Sequence, residues 1–166
     1  MVRREVLDEL PEHPAGVSEA PKVLRVLGLV ERPISLSPAD LASLPAVQVT
    51  EDFVCEEGWR VPAQAWSGVA VGSLLDRAGV QRGGQWVEFA AADFRFSVRV
   101  EDARKGIVAL SLNGKPLNHE HGGPARLFLP GGICFTSIKW LDRIEVRADE
   151  GPNTAEETAR GRIAKR

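Results

Sequence analysis

Short runs of large apolar residues, separated by glycine, proline and polar residues, recur along this chain of 166 residues. Runs of this length, bounded in this way, predict β-strands rather than long helices. Phe94, Phe96 and Val98 alternate with polar residues, which predicts a half-buried strand over residues 94–100 with a basic outer face. The other predicted strands cover residues 23–30, 47–54, 86–90, 107–112, 126–129 and 143–146.

Two segments carry helical signals instead. Ser37 followed by Pro38 is typical of a helix start, with serine at the N-cap and proline in the first turn. Four apolar residues fall on one helical face over residues 71–78, and Gly79 follows as a stop. Two short helices among many strands predict a mixed α+β domain in which strands dominate.

The ends of the chain differ in composition from its centre. Residues 1–21 are polar with three prolines, which predicts an extended lead-in. Residues 149–166 are charged and nearly free of large apolar side chains, which predicts a flexible tail, with a partner-binding arm as the alternative. Residues 22–148 carry no linker and no internal repeat, so we expect one domain there.

Charge and hydropathy argue against two classes of protein, those that bind nucleic acids and those that span a membrane. The formal net charge is −2 and no basic run is present, which argues against a nucleic-acid partner. No window approaches the roughly 18 apolar residues of a membrane span. No apolar stretch follows the first residues either, so we predict a cytoplasmic protein.

Cys55 is the first candidate for chemistry, because it directly follows the predicted strand 47–54. A cysteine at the end of a strand can offer one thiolate to a soft metal. The alternative is a buried thiol that acts as a small apolar side chain. Pairing with Cys134 is possible, but the spacing does not require it. The three histidines, His13, His119 and His121, do not lie at zinc spacing with the cysteines.

Two glycine-rich segments are further candidates. His121-Gly122-Gly123-Pro124-Ala125-Arg126 combines a tight turn with two side chains that suit a phosphate group, and a plain surface turn is the alternative. Residues 130–141 contain Gly131 and Gly132, which permit close backbone approach to a ligand, and Lys139, which adds a positive charge. The alternative there is a connection into a core strand. A cysteine nucleophile at Cys55 with His121 as its base has no spacing that supports it.

Taken in order, these segments resemble the molybdopterin-binding domain of the sulfite oxidase superfamily over about residues 22–148. Five motifs carry the resemblance, namely Cys55-x-x-x-Trp59, Trp66-Ser67-Gly68-Val69 before a helix, Asn113-Gly114-Lys115-Pro116-Leu117, His121-Gly-x-Pro-x-Arg126 and Lys139-Trp140-Leu141.

The resemblance implies the mixed α+β fold of that superfamily and a molybdenum cofactor with one pyranopterin dithiolene. Cys55 matches the cysteine that supplies the protein thiolate to molybdenum. His121 and Arg126 match residues that hold the phosphate end of the pterin. The remaining positions implied to line the cofactor are Ala91, Asp93, Cys134, Phe135, Thr136 and Lys139.

The implied activity is oxygen-atom and two-electron transfer on a sulfite- or sulfoxide-like substrate, with an external electron-transfer protein as partner. Glu56 and Glu57 stand where sulfite oxidases carry basic residues, and Thr136 stands where they carry an arginine. Residues 1–54 contain no asparagine and only His13 as a histidine, whereas larger relatives supply one of these to the cofactor. A non-catalytic molybdopterin-binding or interaction module is the alternative.

Overall fold

The computed structural model describes residues 5–11, 19–55, 57–92, 94–132 and 136–154. Most of its regular structure is β-strand, and the helices are short. The strands are β1 (Glu5–Val6), β2 (Leu24–Gly28), β3 (Ile34–Leu36), β4 (Val47–Val54), β5 (Trp59–Ala70), β6 (Trp86–Ala91), β7 (Phe94–Arg99), β8 (Ile107–Leu112), β9 (Lys115–Pro116), β10 (Arg126–Phe128) and β11 (Arg143–Arg147). The helices are α1 (Pro38–Ala42), α2 (Val71–Ala78) and α3 (Val100–Ala103). The predicted strand-rich α+β class is confirmed.

The described strands form two sheets. In the first, β5 pairs with β1 in parallel and with β4 and β8 antiparallel, while β8 also pairs with β10 and β9. The second sheet has the order β3-β2-β11-β6-β7, in which only β11 and β2 run parallel. The long strand β5 therefore connects the amino-terminal strand to the centre of the first sheet.

Buried apolar side chains form two clusters on opposite faces of the first sheet. The larger cluster fills the space between the two sheets and includes the apolar face of α2. The smaller cluster is rich in aromatic residues, with Phe53, Trp66 and Phe128 at its centre. Trp66 stacks on Phe128 with 5.1 Å between ring centroids. A sheet covered on both faces must be apolar on both. In β8 this gives a continuous run of buried apolar residues, Ile107, Val108 and Ala109.

Several local predictions are confirmed. Ser37 caps α1 in a reciprocal capping box with Asp40, whose carboxylate accepts the Ser37 N–H at 2.9 Å. These hydrogen bonds lower the pKa of the Asp40 carboxyl. Helix α2 ends at Gly79, whose φ of 76° is a conformation that glycine adopts without strain. Strand β4 has the predicted bounds, and the other predicted strands agree within one or two residues.

One prediction was wrong in detail. The predicted strand over residues 94–100 ends at Arg99, and Phe94 is exposed while Ser97 is buried, because Ser97 lies beneath Gly151 and accepts its N–H at 3.2 Å. The motif Trp66-Ser67-Gly68-Val69 lies near the end of β5 and is followed by α2, as expected, and Trp66 is a fully buried core residue. The described residues 136–141 form turns that lead into the core strand β11, which agrees with the alternative given for residues 130–141.

No helix among the described residues is long and apolar enough to cross a membrane. The predicted domain boundaries, after residue 21 and after residue 148, stay predictions.

The glycine of the Trp-Ser-Gly-Val motif gives a test of the packing of the first sheet. A Cβ added at Gly68 would lie 1.9 Å from the Val108 carbonyl oxygen, a backbone atom that cannot move without disrupting the β5–β8 pairing. We expect Gly68→Ala to lower the free energy of unfolding by about 1–3 kcal/mol or more, measured by urea denaturation. Ser67→Ala, at the neighbouring position, is the control, and an equal loss in both variants would contradict this explanation.

Candidate functional site

Cys55 lies in the tight connection between β4 and β5. Its N–H donates to the Trp59 carbonyl at 2.9 Å, and its own carbonyl accepts the Gly58 N–H at 3.2 Å. Gly58 has a φ of 103°, so the reversal of the chain depends on a glycine at this position. Cys55 itself is only 3% exposed. The fold therefore holds the thiol in a fixed, largely water-excluded position at the end of a paired strand.

Arg126 is the buried cation of this region. It lies in β10 with 4% exposure, and its guanidinium carbon is 5.3 Å from the centre of the Phe53 ring and 5.2 Å from that of Trp66. Its Nε donates to Ser137 Oγ at 2.8 Å, and its Nη1 donates to the His121 carbonyl at 3.0 Å. A surface turn with an incidental arginine, the alternative for this motif, is therefore wrong for Arg126.

His121 is held by both its backbone and its ring. Its N–H donates to Asn118 Oδ1 at 2.8 Å, and its ring Nε2 lies 2.9 Å from the Leu10 carbonyl oxygen. A carbonyl oxygen can only accept, so Nε2 carries the proton in this arrangement.

Lys139 contacts the turn that carries His121, at Glu120 and Gly122. Its Nζ donates to the Glu120 carbonyl at 2.6 Å, and its side-chain carbons leave no room for a Cβ at Gly122. Trp140 adds a second link, since its Nε1 donates to the His119 carbonyl at 2.8 Å. The glycine at 122 is thus required by the close approach of Lys139 to the turn.

Thr136 and Ala91 lie next to residues that contact Arg126 or the chain segment that follows Lys139. Thr136 precedes Ser137, the partner of Arg126, and its Oγ1 closely approaches the backbone of Gly132. Ala91 is buried at the end of β6, and the preceding carbonyl, that of Ala90, accepts the Asp142 N–H at 3.0 Å. Both positions connect to the chain segment that carries Lys139.

The amino-terminal arm, residues 5–10, packs against this region. Strand β1 pairs in parallel with Trp59 and Arg60, directly after the Cys55 turn. Leu10 is 5% exposed and belongs to the aromatic cluster that also contains Phe53 and Trp66. The arm therefore connects the Cys55 turn to the His121 ring.

Arg126 contacts the His121 carbonyl directly, and Lys139 contacts the carbonyl of Glu120, the residue before His121. Phe53, two residues before Cys55, links Arg126 to the Cys55 turn. Asp93, Cys134 and Phe135 lie outside the described residues. The sequence analysis missed Leu10, Asn118 and Ser137 as supporting residues. Val6, Leu7 and Leu10, large apolar residues close together in a mostly polar lead-in, were the signal that could have indicated the arm.

Within the described ranges, no group of three or more His, Cys, Asp or Glu side chains is placed to hold a metal ion. Among these residues, protein side chains by themselves do not form a complete ligand set for a metal ion. A single thiolate is instead the donor set expected when a dithiolene supplies the remaining sulfur ligands.

A family model described as the oxidoreductase molybdopterin binding domain matches residues 14–155. The chain belongs to this family. Among curated relatives, the uncharacterized oxidoreductase YuiH of Bacillus subtilis is 31% identical over 132 residues, covering 78% of this chain and 67% of that protein. Sulfite oxidase of Arabidopsis thaliana is 29% identical over 161 residues, covering 74% of this chain and 41% of that protein. The predicted membership of the sulfite oxidase superfamily is confirmed.

Two further comparisons fix the fold and the extent of the match. The sulfane dehydrogenase SoxCD of Paracoccus pantotrophus superposes with a TM-score of 0.74 at 27% identity, covering 83% of this chain and 42% of that chain. The fold is therefore the strand-rich mixed fold of the sulfite oxidase type. The NADPH nitrate reductase of Fusarium oxysporum is 31% identical over 157 residues, and the chain spans only 17% of its length.

Docking of the arm can be tested through Leu10. Replacement by aspartate would bury a carboxylate in the aromatic cluster, so we expect Leu10→Asp to release the arm and to lower the free energy of unfolding by about 2–5 kcal/mol. Release of the arm should also withdraw the backbone carbonyl of residue 10 from the His121 ring and remove the preference for a proton on Nε2, as measured by ¹⁵N NMR of the ring. Glu9→Ala, an exposed neighbour, is the control, and an unchanged His121 tautomer in Leu10→Asp would contradict the proposed contact.

Proposed function

We propose that this domain is a molybdenum cofactor-dependent oxidoreductase in which Cys55 supplies the protein thiolate to the metal. The observation that carries the proposal is the arrangement around Phe53. This strand residue leads into the buried Cys55 turn on one side and lies against the Arg126 guanidinium on the other. A soft sulfur ligand and a cationic pocket are thus joined by one short rigid segment.

The residues present fit the group that the family binds. Molybdenum prefers soft sulfur, and a fixed thiolate beside a dithiolene leaves open positions for oxygen ligands. A phosphate group needs cationic side chains or N–H donors; Arg126 and Lys139 provide the cations, and His121 adjoins Arg126 through its carbonyl. Ala91 and Thr136, with Asp93, Cys134 and Phe135, are proposed to line the rest of the cofactor.

The cofactor, when bound, supplies the oxygen-atom and two-electron chemistry. The contribution of the protein is orientation and electrostatics. The Cys55 turn holds the thiol where little water reaches it. Arg126 is fixed by Ser137 and by two aromatic rings, so its charge needs no rearrangement to meet an anion. The Leu10 carbonyl accepts from Nε2 of His121 and thereby fixes the orientation of the ring.

For the substrate we favour a sulfoxide-like, uncharged molecule over sulfite. Glu57 lies in the Cys55 turn, and Arg60, a cation in the adjoining strand, pairs with Asp52 at 2.9 Å. An anion approaching this turn would therefore meet a carboxylate and an arginine whose charge is already compensated. An external electron-transfer protein is proposed to complete turnover.

A second candidate is a non-catalytic molybdopterin-binding or interaction module. The burial of Cys55, only 3% exposed, favours it, because a thiol that packs as a small apolar side chain is buried in the same way. A molybdopterin-binding module would hold the cofactor without turnover, so turnover of a sulfoxide or sulfite with an artificial redox dye distinguishes the enzyme from it, and an interaction module would hold no molybdenum.

Loss of the metal ligand is the first test. We expect protein made in a molybdenum-competent host to contain about one molybdenum per chain by elemental analysis, and Cys55→Ser to contain almost none, because a neutral hydroxyl is a poor ligand for a soft site. The unfolding transition of both cofactor-free proteins, followed by circular dichroism, controls for misfolding. Absence of molybdenum from the wild-type protein would refute the proposal.

The phosphate-binding role of Lys139 gives an independent test. We expect Lys139→Gln to retain roughly tenfold less pterin after dialysis, since a charge-assisted hydrogen bond to phosphate contributes about 1.5 kcal/mol or more. Lys115→Gln makes the same change of charge at an exposed position of β9 and should retain the wild-type amount. Pterin is measured by the fluorescence of its oxidised form. Equal retention in all three proteins would assign Lys139 a structural role only.

A further inference from the structure

A groove on the second sheet lies outside the candidate cofactor site. It has a volume of about 360 Å³ and runs along the start of β2 and β11. Small-molecule sites typically fall at roughly 300–1,000 Å³, so the groove is large enough for a small ligand. Its lining residues are Pro21, Lys22, Val23, Arg25, Asp142 and Arg143.

The register of the strands places two arginines side by side in this groove. Arg25 of β2 is the direct partner of Arg143 of β11 in the parallel ladder. Like charges at directly opposed positions of a sheet destabilise it. An anion bound between the two guanidinium groups would convert this repulsion into attraction, with Arg geometry suited to bidentate contacts.

Arg143 belongs to an ion-pair network on this face of the sheet. Glu88, 1% exposed, accepts from Arg143 at 3.1 Å and from Arg147 at 3.3 Å, and Arg95 lies 4.0 Å away, while Arg147 also pairs with Glu145 at 3.4 Å and with Asp149 at 3.5 Å. The Nε of Arg143 is buried and makes no hydrogen bond within the described part of the chain.

Lys22 and Arg25 are exposed, and neither takes part in an ion pair among the described residues. Asp142 is the only acid that lines the groove. Three cations therefore face one carboxylate in a chain whose net charge is −2. The charge of the residues that line the groove is therefore positive, opposite in sign to the net charge of the whole chain.

We propose that this groove is a binding site for a small doubly charged oxyanion of the phosphate or sulfate class, held between Arg25 and Arg143 with Lys22 at the rim. With Arg143 already paired to Glu88, Lys22 and Arg25 supply the two positive charges that a dianion would match. The site shares no residue with the proposed cofactor pocket, so the inference does not depend on molybdenum binding.

Titration of the cofactor-free, ¹⁵N-labelled chain with inorganic phosphate, and separately with sulfate, tests the proposal at constant ionic strength against chloride. We expect saturable amide shifts at Arg25, Asp142 and Arg143. Arg25→Gln should weaken binding roughly tenfold or more, because it removes a charge-assisted contact. Arg82→Gln, an exposed arginine in the turn before β6, makes the same change of charge and should leave the affinity unchanged.

Three results would overturn the proposal. Equal weakening in Arg25→Gln and Arg82→Gln would mean a diffuse charge effect. Binding that survives Arg25→Gln but is lost in Lys139→Gln would belong to the proposed cofactor pocket. Absence of saturable shifts with both anions, together with binding of a polyglutamate peptide, would instead assign the groove to the carboxylates of a protein partner.

Discussion

A charged guanidinium buried against two aromatic rings is the contact on which the candidate site depends. Removing the Arg126 charge from water is costly, and the cost is offset by hydrogen bonds to Ser137 and His121 and by the faces of Phe53 and Trp66. These four partners come from separate parts of the chain. The position of Arg126 therefore ties together the Cys55 strand, the histidine turn and the segment that leads to Lys139.

The amino-terminal arm extends this arrangement. Strand β5 makes it possible, because its first residues pair with both β1 and β4 while its last residues pair with β8. The arm thus reaches the aromatic cluster beneath the Cys55 turn, and the Leu10 carbonyl orients His121. A backbone carbonyl of the arm thus takes part in ordering the site.

The molecule separates its cations into two environments. Arg126 is buried and fixed, which suits a permanently held cofactor, whereas Arg25 and Lys22 are exposed beside a groove, which suits an exchangeable anion. Sheet register explains the second set: the same alternation that directs apolar residues of β2 and β11 to the core directs their arginines to the opposite face. The charge pattern of the outer face is thus a consequence of how the core is built.

Local physics was sufficient to predict much of this protein from its sequence. Strand lengths, the Ser37 cap, the Gly79 stop and the order of the glycine-rich motifs all depend on neighbouring residues, so the sequence alone determined them and the family they indicate. Burial and partnership depend on distant residues instead. Only the tertiary structure decided that Trp66 is core, that Arg126 lies beneath Phe53, that the arm contacts His121 and that Arg25 faces Arg143. Each of these requires chain segments far apart in sequence to pack together, which no local pattern encodes.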